Sequence, residues 1–337
     1  MKVLTARHLN RALLARQMLL ERVDAPAPRV LERMGGLQAQ YAPSMYIGLW
    51  TRIAGFPREQ LTSLLEQRLV VQGTLQRSTI HLVSRADYWP FELSVRDARL
   101  ASYLRVARGV EDLSGKAARL REVLRQGPLK RADMDRLFGA ASRVGLHHMV
   151  SMVRVPPSGT WARRRADIYA LSEDWVGPPA GSLGLAHVAQ RYLAAFGPAT
   201  CRSFADWIGM PLSSVTPALE SLTLRRFRAE DGAELLDLPR APLPDPDTPA
   251  PVRFLPTYDA TLLAHARRAL ILPEEHRSKV FNTKMPQSIG TFTVDGAVAG
   301  TWRLAAGRVV TSPFTALPSR VLREVSEEAE RLTEFHR

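Results

Sequence analysis

A Gly-Pro pair followed by a lone glycine occurs twice in this chain, and that repeat constrains its architecture more than any other feature. Gly127-Pro128 precedes Gly139 and Gly197-Pro198 precedes Gly209, with ten residues between in each case and 70 residues between the copies. Proline cannot continue a helix interior and glycine commonly ends one. The apolar periodicity predicts a helix before each Gly-Pro, over 113–125 and 185–196. A short helix follows each, ending in Leu137-Phe138-Gly139 or Trp207-Ile208-Gly209. A further helix and a basic strand pair complete each copy. The strand pairs are expected at 153–171, with Pro156-Pro157-Ser158-Gly159 as the turn and 161–165 as a basic strand, and at 224–238, with the turn signal Asp231-Gly232. Three helices and a two-stranded wing are the order of a winged helix-turn-helix unit.

The first hundred residues fit the same plan less cleanly. Helices are expected at 6–20, 29–34, 44–50 and 58–67, with Thr5 as an N-cap and Pro57 at the start of the last. Alternating strands at 69–75 and 78–84 and a long helix at 86–104 follow. Residues 239–251 carry proline too often for helix or central strand and are expected to be a linker. Beyond it, strand patterns at 252–255, 268–272, 278–282, 289–294, 298–304 and 308–312 suggest a small sheet or barrel. Asp295-Gly296 is the expected hairpin turn, and a charged helix at 319–335 closes the chain. The expected fold class is therefore α+β. Winged-helix units would occupy 1–108, 109–180 and 181–240, a linker 241–251, and a β-rich unit 252–337.

With 45% hydrophobic and 23% charged residues the chain has an ordinary globular composition, and 337 residues favour two or three compact units. No apolar run approaches the roughly 18 residues of a membrane span. The N-terminus, Met1-Lys2-Val3-Leu4-Thr5-Ala6-Arg7-His8, lacks a secretory pattern. A cytoplasmic protein associated with the nucleoid is expected. A lone Cys201 excludes an internal disulfide and a cysteine-built zinc site. The formal net charge is +13, carried by arginine, since the only lysines are Lys2, Lys116, Lys130, Lys279 and Lys284. A GC-rich genome accounts for part of the arginine usage. A pI near 10.6 spread over a whole globular chain still favours a polyanionic partner, nucleic acid above all.

Within that setting the stretch Met34-Gly35-Gly36-Leu37-Gln38-Ala39-Gln40-Tyr41-Ala42-Pro43-Ser44 stands out. Two carboxamides flank one apolar residue just beyond a Gly-Gly break. In an extended segment they share a face, whereas in a helix they diverge by about 200°, so the glycines would shape the backbone here. By spacing alone such a pair is more often a cap or a bridge between helices. Here the sequence resembles the AlkZ/YcaQ family of winged-helix DNA glycosylases, in the branch whose motif is Gln-apolar-Gln rather than Gln-apolar-Asp. Leu255-Pro256-Thr257-Tyr258-Asp259 and the segment from Val294 to Arg303 are similar to further family segments, so the resemblance covers most of the chain. It implies that Gln38 and Gln40 are catalytic, and that three tandem winged helix-turn-helix units are followed by a small C-terminal β-barrel sharing a DNA-binding surface.

Alkylation at N7 puts a positive charge on guanine, which then leaves as a neutral base without a general acid. The protein need only place a water and stabilise charge developing on the sugar. A carboxamide, with its acceptor oxygen and donor nitrogen, suits that task. Other candidates are expected to contact DNA. Arg77, Thr79 and His81 would alternate on one face of the first wing strand. Arg163 and Arg165 would share a face of the second wing, with Arg164 on the other. His276 and Arg277, in Leu272-Pro273-Glu274-Glu275-His276-Arg277-Ser278-Lys279, would sit at a hairpin tip resembling the family's minor-groove hairpin. The adjacent histidines His147-His148 project differently and no carboxylate or thiol spacing accompanies them, so no metal is expected.

No Gly-x-Gly-x-x-Gly or Walker-type loop and no Gly-x-Ser-x-Gly elbow is present, and no cofactor is expected. The function these features favour is a monomeric, monofunctional DNA glycosylase acting on double-stranded DNA that contains alkylated guanine. Its substrates would be bulky or cationic N7-alkylguanine adducts, including interstrand crosslinks and those of an antibiotic to which the cell is resistant, leaving an abasic site for base excision repair. No lysine lies near the triplet to form a Schiff base. The competing class is a non-enzymatic winged-helix transcription regulator, since fold alone does not separate the two. A binder that sequesters alkylated DNA without turnover is a third reading.

Overall fold

In the computed structural model, which describes residues 1–106, 113–181, 184–264, 269–281 and 289–337, the helices fall where the periodicity placed them. Thr5 caps the first, Ala6–Arg16: its hydroxyl accepts from the His8 amide, and the His8 ring accepts from the Thr5 amide in return. The helices Ala27–Met34, Ala42–Trp50 and Arg58–Glu66 follow, then the strands Val70–Thr74 and Ile80–Ser84 and the 22-residue helix Arg85–Val106. The second set is Ser114–Arg125, Arg131–Phe138 and Ala140–Met149, with strands Met152–Arg154 and Ile168–Leu171. The third is Gly184–Phe196, Cys201–Ile208 and Leu212–Glu220, with strands Arg225–Ala229 and Glu234–Asp237.

These sets do not keep their strands to themselves. Gln72 and Gly73 pair antiparallel with Arg154 and Val153, so the strand pairs of the first two sets merge. The resulting six-stranded sheet runs Leu37–Gln38, Ile80–Ser84, Val70–Thr74, Met152–Arg154, Ile168–Leu171, Leu129–Lys130. The N-terminal strand Val3–Leu4 joins the strand pair of the third set instead, parallel to Arg225–Ala229. Packing repeats this division. One hydrophobic core unites the first set, the third set and the C-terminal region. A smaller core around Leu120, Met134, Phe138 and Leu146 belongs to the second set alone.

Three expectations are corrected. The basic strand at 161–165 is an irregular loop, closed by Gly159 N–H to Arg165 O at 3.1 Å and Thr160 N–H to Arg163 O at 3.0 Å. No closed barrel is found among the described residues. The strands Arg253–Leu255, Thr291–Val294, Ala297–Ala305 and Arg308–Pro313 form an open antiparallel sheet in chain order. The helix Ser319–His336 packs on it and buries Val325, Ala329 and Leu332, so a helix rather than strand closure supplies cover for the apolar face. The strands expected at 268–272 and 278–282 are also missing. Their ends at Arg268 and Asn282 lie outside the described residues, and between them Pro273 starts a 3-10 turn, Glu274–His276, that runs into the helix Arg277–Val280. Asp295-Gly296 does form the hairpin turn, both residues adopting positive φ.

The proline-rich stretch 239–251 has no regular structure, yet arginines of the first helix hold it: Arg16 donates to Pro242 O, Arg11 to Thr248 O and Arg7 to Pro246 O. Two fully buried ion pairs lock the same N-terminal segment to distant chain. Arg16 grips Asp237 at 2.7 and 3.0 Å, and Arg52 grips Asp259 at 2.9 Å through both guanidinium nitrogens. Asp259 also caps its own helix by accepting from the Thr261 amide. Replacing Asp259 by Ala should strand a buried guanidinium and cost about 3–5 kcal/mol in urea unfolding. The double change Arg52→Met/Asp259→Leu should cost clearly less than the single one. Equal losses would show that the stranded charge is not the cause.

Candidate active site

Gly35 ends the Ala27–Met34 helix in the left-handed conformation, and Gly36 follows at φ 83°. A Cβ on Gly36 would come within 2.9 Å of Val83 Cγ1, so both conformation and space require glycine there. The turn delivers Leu37–Gln38 to the edge of the six-stranded sheet, with Leu37 opposite Leu82 and Gln38 opposite His81. Ala39 donates to Ile80 O at 2.7 Å and is buried, which anchors the triplet by its middle residue. The backbone is extended, so Gln38 and Gln40 emerge on one side, and the Gln38 side-chain amide donates to the Gln40 carbonyl oxygen. One carboxamide thereby orders the other. Among the described residues no other partner engages Gln38 Oε1 or Gln40 Nε2, and the pair sits at the surface with Gln40 exposed.

His81 lies across the ladder from Gln38, on the same face. Its Nδ1 is 3.1 Å from Thr79 O, so Nδ1–H donates there and Nε2 is left as the acceptor of a neutral ring. Burial, reinforced by the Arg77 guanidinium, pushes its pKa down to about 3. Thr79 turns its hydroxyl to Gln76 O at 3.1 Å. Arg77 departs from the expected alternation, because 76–78 is a 3-10 turn with Arg77 at φ 51° rather than strand. Its guanidinium donates to Trp207 O at the end of the Cys201–Ile208 helix, tying the first set of elements to the third.

Loop geometry also rearranges the expected wing arginines. Arg163 and Arg165 both converge on Asp167, at 3.0 and 3.6 Å, so part of their charge is balanced internally. Arg164, which strand alternation would have turned away, is the one that approaches the site. It donates to the Tyr41 hydroxyl at 3.2 Å, and its guanidinium lies 6.0 Å over the Tyr41 ring. Tyr41 directly follows Gln40, and neither it nor Arg164 was signalled by the sequence, because loop conformation alone brings them together.

His276 and Arg277 are not at a hairpin tip. The His276 ring packs 4.6 Å from the Phe314 ring and is half-buried, and Arg277 pairs with Glu274 at 3.4 Å on the same turn. Residues 282–288, where the returning arm would run, lie outside the described residues. His147 meets the Tyr169 ring and His148 stacks on Tyr103, so each imidazole has an aromatic neighbour. Among the described residues no three His, Cys, Asp or Glu side chains gather as a metal site.

A hydrogen-bonded glutamine pair, a neutral histidine behind it and arginines around it are held by backbone features that the whole fold cooperates to build. The whole fold is shared with a solved protein. The DNA glycosylase AlkZ of Streptomyces sahachiroi superposes with a TM-score of 0.82 over 100% of this chain and 98% of its own, at 20% identity. An interstrand DNA cross-link repair glycosylase from the same organism is 23% identical over 350 residues, covering 93% of this chain and 92% of that protein. The profile of the AlkZ-like DNA glycosylases matches residues 31–335, which take in the Gly-Gly turn, both glutamines and the C-terminal sheet, and the chain therefore belongs to the AlkZ-like DNA glycosylase family.

Proposed function

We propose that this protein hydrolyses the N-glycosidic bond of bulky or cationic N7-alkylguanine in duplex DNA, interstrand crosslinks included, and leaves an abasic site. The observation that carries this reading is the hydrogen-bonded Gln38–Gln40 pair on the exposed sheet edge. Gln38 Oε1 accepts a hydrogen bond from the attacking water and aims its oxygen at C1′ of the sugar; as the C–O bond forms and the C–N bond breaks, the proton the water loses passes to solvent. Gln40, fixed by the Gln38 amide, presents its own NH2 as a second point of contact. Both oxygens carry partial negative charge that favours the oxocarbenium-like sugar as the C–N bond stretches. The alkylated base already bears a positive charge, so it departs neutral and needs no proton donor. A neutral His81 backs Gln38 and does not supply one either.

The site lies on an edge and not in an enclosed chamber, which suits a base too large to be drawn fully out of the helix. In this reading Arg77, Thr79, Arg163, Arg165, His276 and Arg277 contact the DNA backbone or groove, and one copy of the protein acts alone without metal or cofactor. Winged-helix units would track the phosphates largely without regard to sequence. The reaction is simple hydrolysis, with no Schiff base and no strand cleavage.

An oligonucleotide duplex bearing one N7-alkylguanine, assayed for free base and alkali-labile sites, tests the proposal. Gln38→Ala and Gln40→Ala should each slow single-turnover release by about 2–4 kcal/mol of activation free energy, with binding to undamaged duplex nearly unchanged. Gln40→Asp should retain measurable excision. Wild-type rates in the Gln38→Ala/Gln40→Ala double variant would sink the mechanism, and a sequence-specific footprint without base release would favour a regulator.

Titration provides a separate check. Neither glutamine ionises, and His81 stays neutral from alkaline pH down to about 3. The excision rate should therefore be flat from about pH 5.5 to 9, apart from spontaneous depurination, while Gln40→Asp should add an acid limb near the carboxylate range of about 4. A bell centred near neutrality in the wild type would point to a titrating base that this site does not contain. Binding should also weaken about a thousandfold between roughly 50 and 200 mM salt if about six phosphates are neutralised.

A further inference from the structure

The first two helices and the helix Gly184–Phe196 meet the end of the third strand pair around a cleft of about 700 Å³ that the glutamine pair does not use. Its walls are aliphatic. Ala194, Leu222, Leu238 and Ala241 are half-buried there, and among the described residues no aromatic ring lines it. The backbone walls are fixed. Asp237, fully buried, is gripped by both Arg16 and Arg225, and the same two guanidiniums donate to Pro242 O at 2.9 Å and Ala241 O at 2.7 Å. Every lining residue lies well inside a described stretch of the chain.

Polar groups select the occupant. Arg33, in the last turn of Ala27–Met34, and Arg240, just beyond the strand Glu234–Asp237, are exposed at the cleft, and among the described residues neither has an acidic partner. No carboxylate of the described residues lines the cleft, and a single Asp237 between two arginines leaves that cluster with a surplus positive charge. The site therefore attracts carboxylates. Gln190 and Thr223 are exposed in the same lining, and among the described residues their side chains make no hydrogen bond. A carboxamide and a hydroxyl offer both donors and acceptors, which a peptide backbone can use and a phosphate or a plain aliphatic acid, acceptors only, can use by half. Without aromatic rings the walls offer no stacking platform for a nucleotide base, whereas they suit a leucine or isoleucine side chain.

We propose that this cleft docks an acidic peptide segment of a partner protein, with an aliphatic side chain seated against Leu222 and Leu238, carboxylates on Arg33 and Arg240, and backbone groups on Gln190 and Thr223. A preformed cleft keeps the ordering cost on the peptide alone, so a short flexible segment suffices. The lining shares no residue with those expected to meet DNA, so peptide and duplex bind together. The docking is independent of the chemistry at Gln38 and Gln40 and brings a second protein to the site of damage.

Fluorescence anisotropy with a labelled hexapeptide, Asp-Asp-Leu-Asp-Glu-Leu, tests the proposal against two control peptides. One control carries Ser in place of Leu, and the other carries Asn and Gln in place of Asp and Glu. The wild type should bind the parent peptide about tenfold more tightly than either control, and Arg33→Ala/Arg240→Ala should remove most of that preference. Both arginines are exposed, so the variant should keep the wild-type urea midpoint. Unlabelled duplex in saturating excess should leave the peptide bound, and duplex affinity should change less than about twofold in the variant. Equal affinity for the parent and either control, or parent binding unchanged in the variant, overturns the site. Displacement of the peptide by duplex, or a loss of duplex affinity as large as the loss of peptide affinity, assigns the two arginines to DNA and overturns it as well. Selective peptide binding that persists beside duplex upholds it, whether or not the protein releases an alkylated base.

Discussion

Arg16 and Arg52, both fully buried, each close two hydrogen bonds on a carboxylate 221 and 207 residues away. Burying such ions costs several kcal/mol each, which their attraction recovers only when the geometry is bidentate and the remaining donors are satisfied. Arg16 meets that condition with Leu193 O and Pro242 O, whereas Arg52 adds Gly48 O and leaves its buried Nε without a hydrogen-bond partner among the described residues. Alternative placements of the strands Arg225–Ala229 and Glu234–Asp237 or the C-terminal sheet against the first helices would leave the two guanidinium charges stranded in a dry interior. The pairs therefore specify one arrangement of the chain's ends around its N-terminal elements. Through Arg52, which also donates to Gly48 O, the C-terminal region is held against the helix Ala42–Trp50 that follows Gln40.

The same pairs alter the meaning of the arginine content. A guanidinium offers a planar fork that matches a carboxylate, which an ammonium does not. Arg11, Arg16, Arg22, Arg52, Arg99 and Arg191 each engage an acidic partner within the fold, on Asp295, Asp237, Glu328, Asp259, Glu92 and Asp87 in turn. Codon usage and phosphate affinity thus share the composition with a structural demand. The net charge is unaffected, because each such pair is neutral, and the +13 excess is left to act on a polyanion.

At the site, strength comes from order and not from charge. Gly35 and Gly36 reverse the chain out of a helix, Ala39 fastens it to the sheet, and the two carboxamides then have little choice but to meet. A weak catalytic group loses little of its value when it is already oriented, since reorganisation is the cost that preorganisation removes. Pairing of Gly73 with Val153 joins the strands of the first two sets into the six-stranded sheet whose edge carries the pair.

Local signals in the sequence determined the helices, the Thr5 cap, the Asp295-Gly296 turn and the adjacency of Gln38 and Gln40 on one face, because each depends on a few neighbouring residues. Propensity, capping and the period of two act at that range. The sequence did not determine which strand pairs would share a sheet, that a helix would cover the C-terminal strands in place of closure, or that 273–280 would coil into helical turns. Those outcomes depend on which apolar faces meet, which only the assembled chain decides. Arg163 to Arg165 show the difference within three residues. Alternation would have set Arg164 apart from its neighbours on the far face of a strand, whereas the loop that replaced the strand turned Arg163 and Arg165 onto Asp167 and carried Arg164 to Tyr41, beside the glutamines.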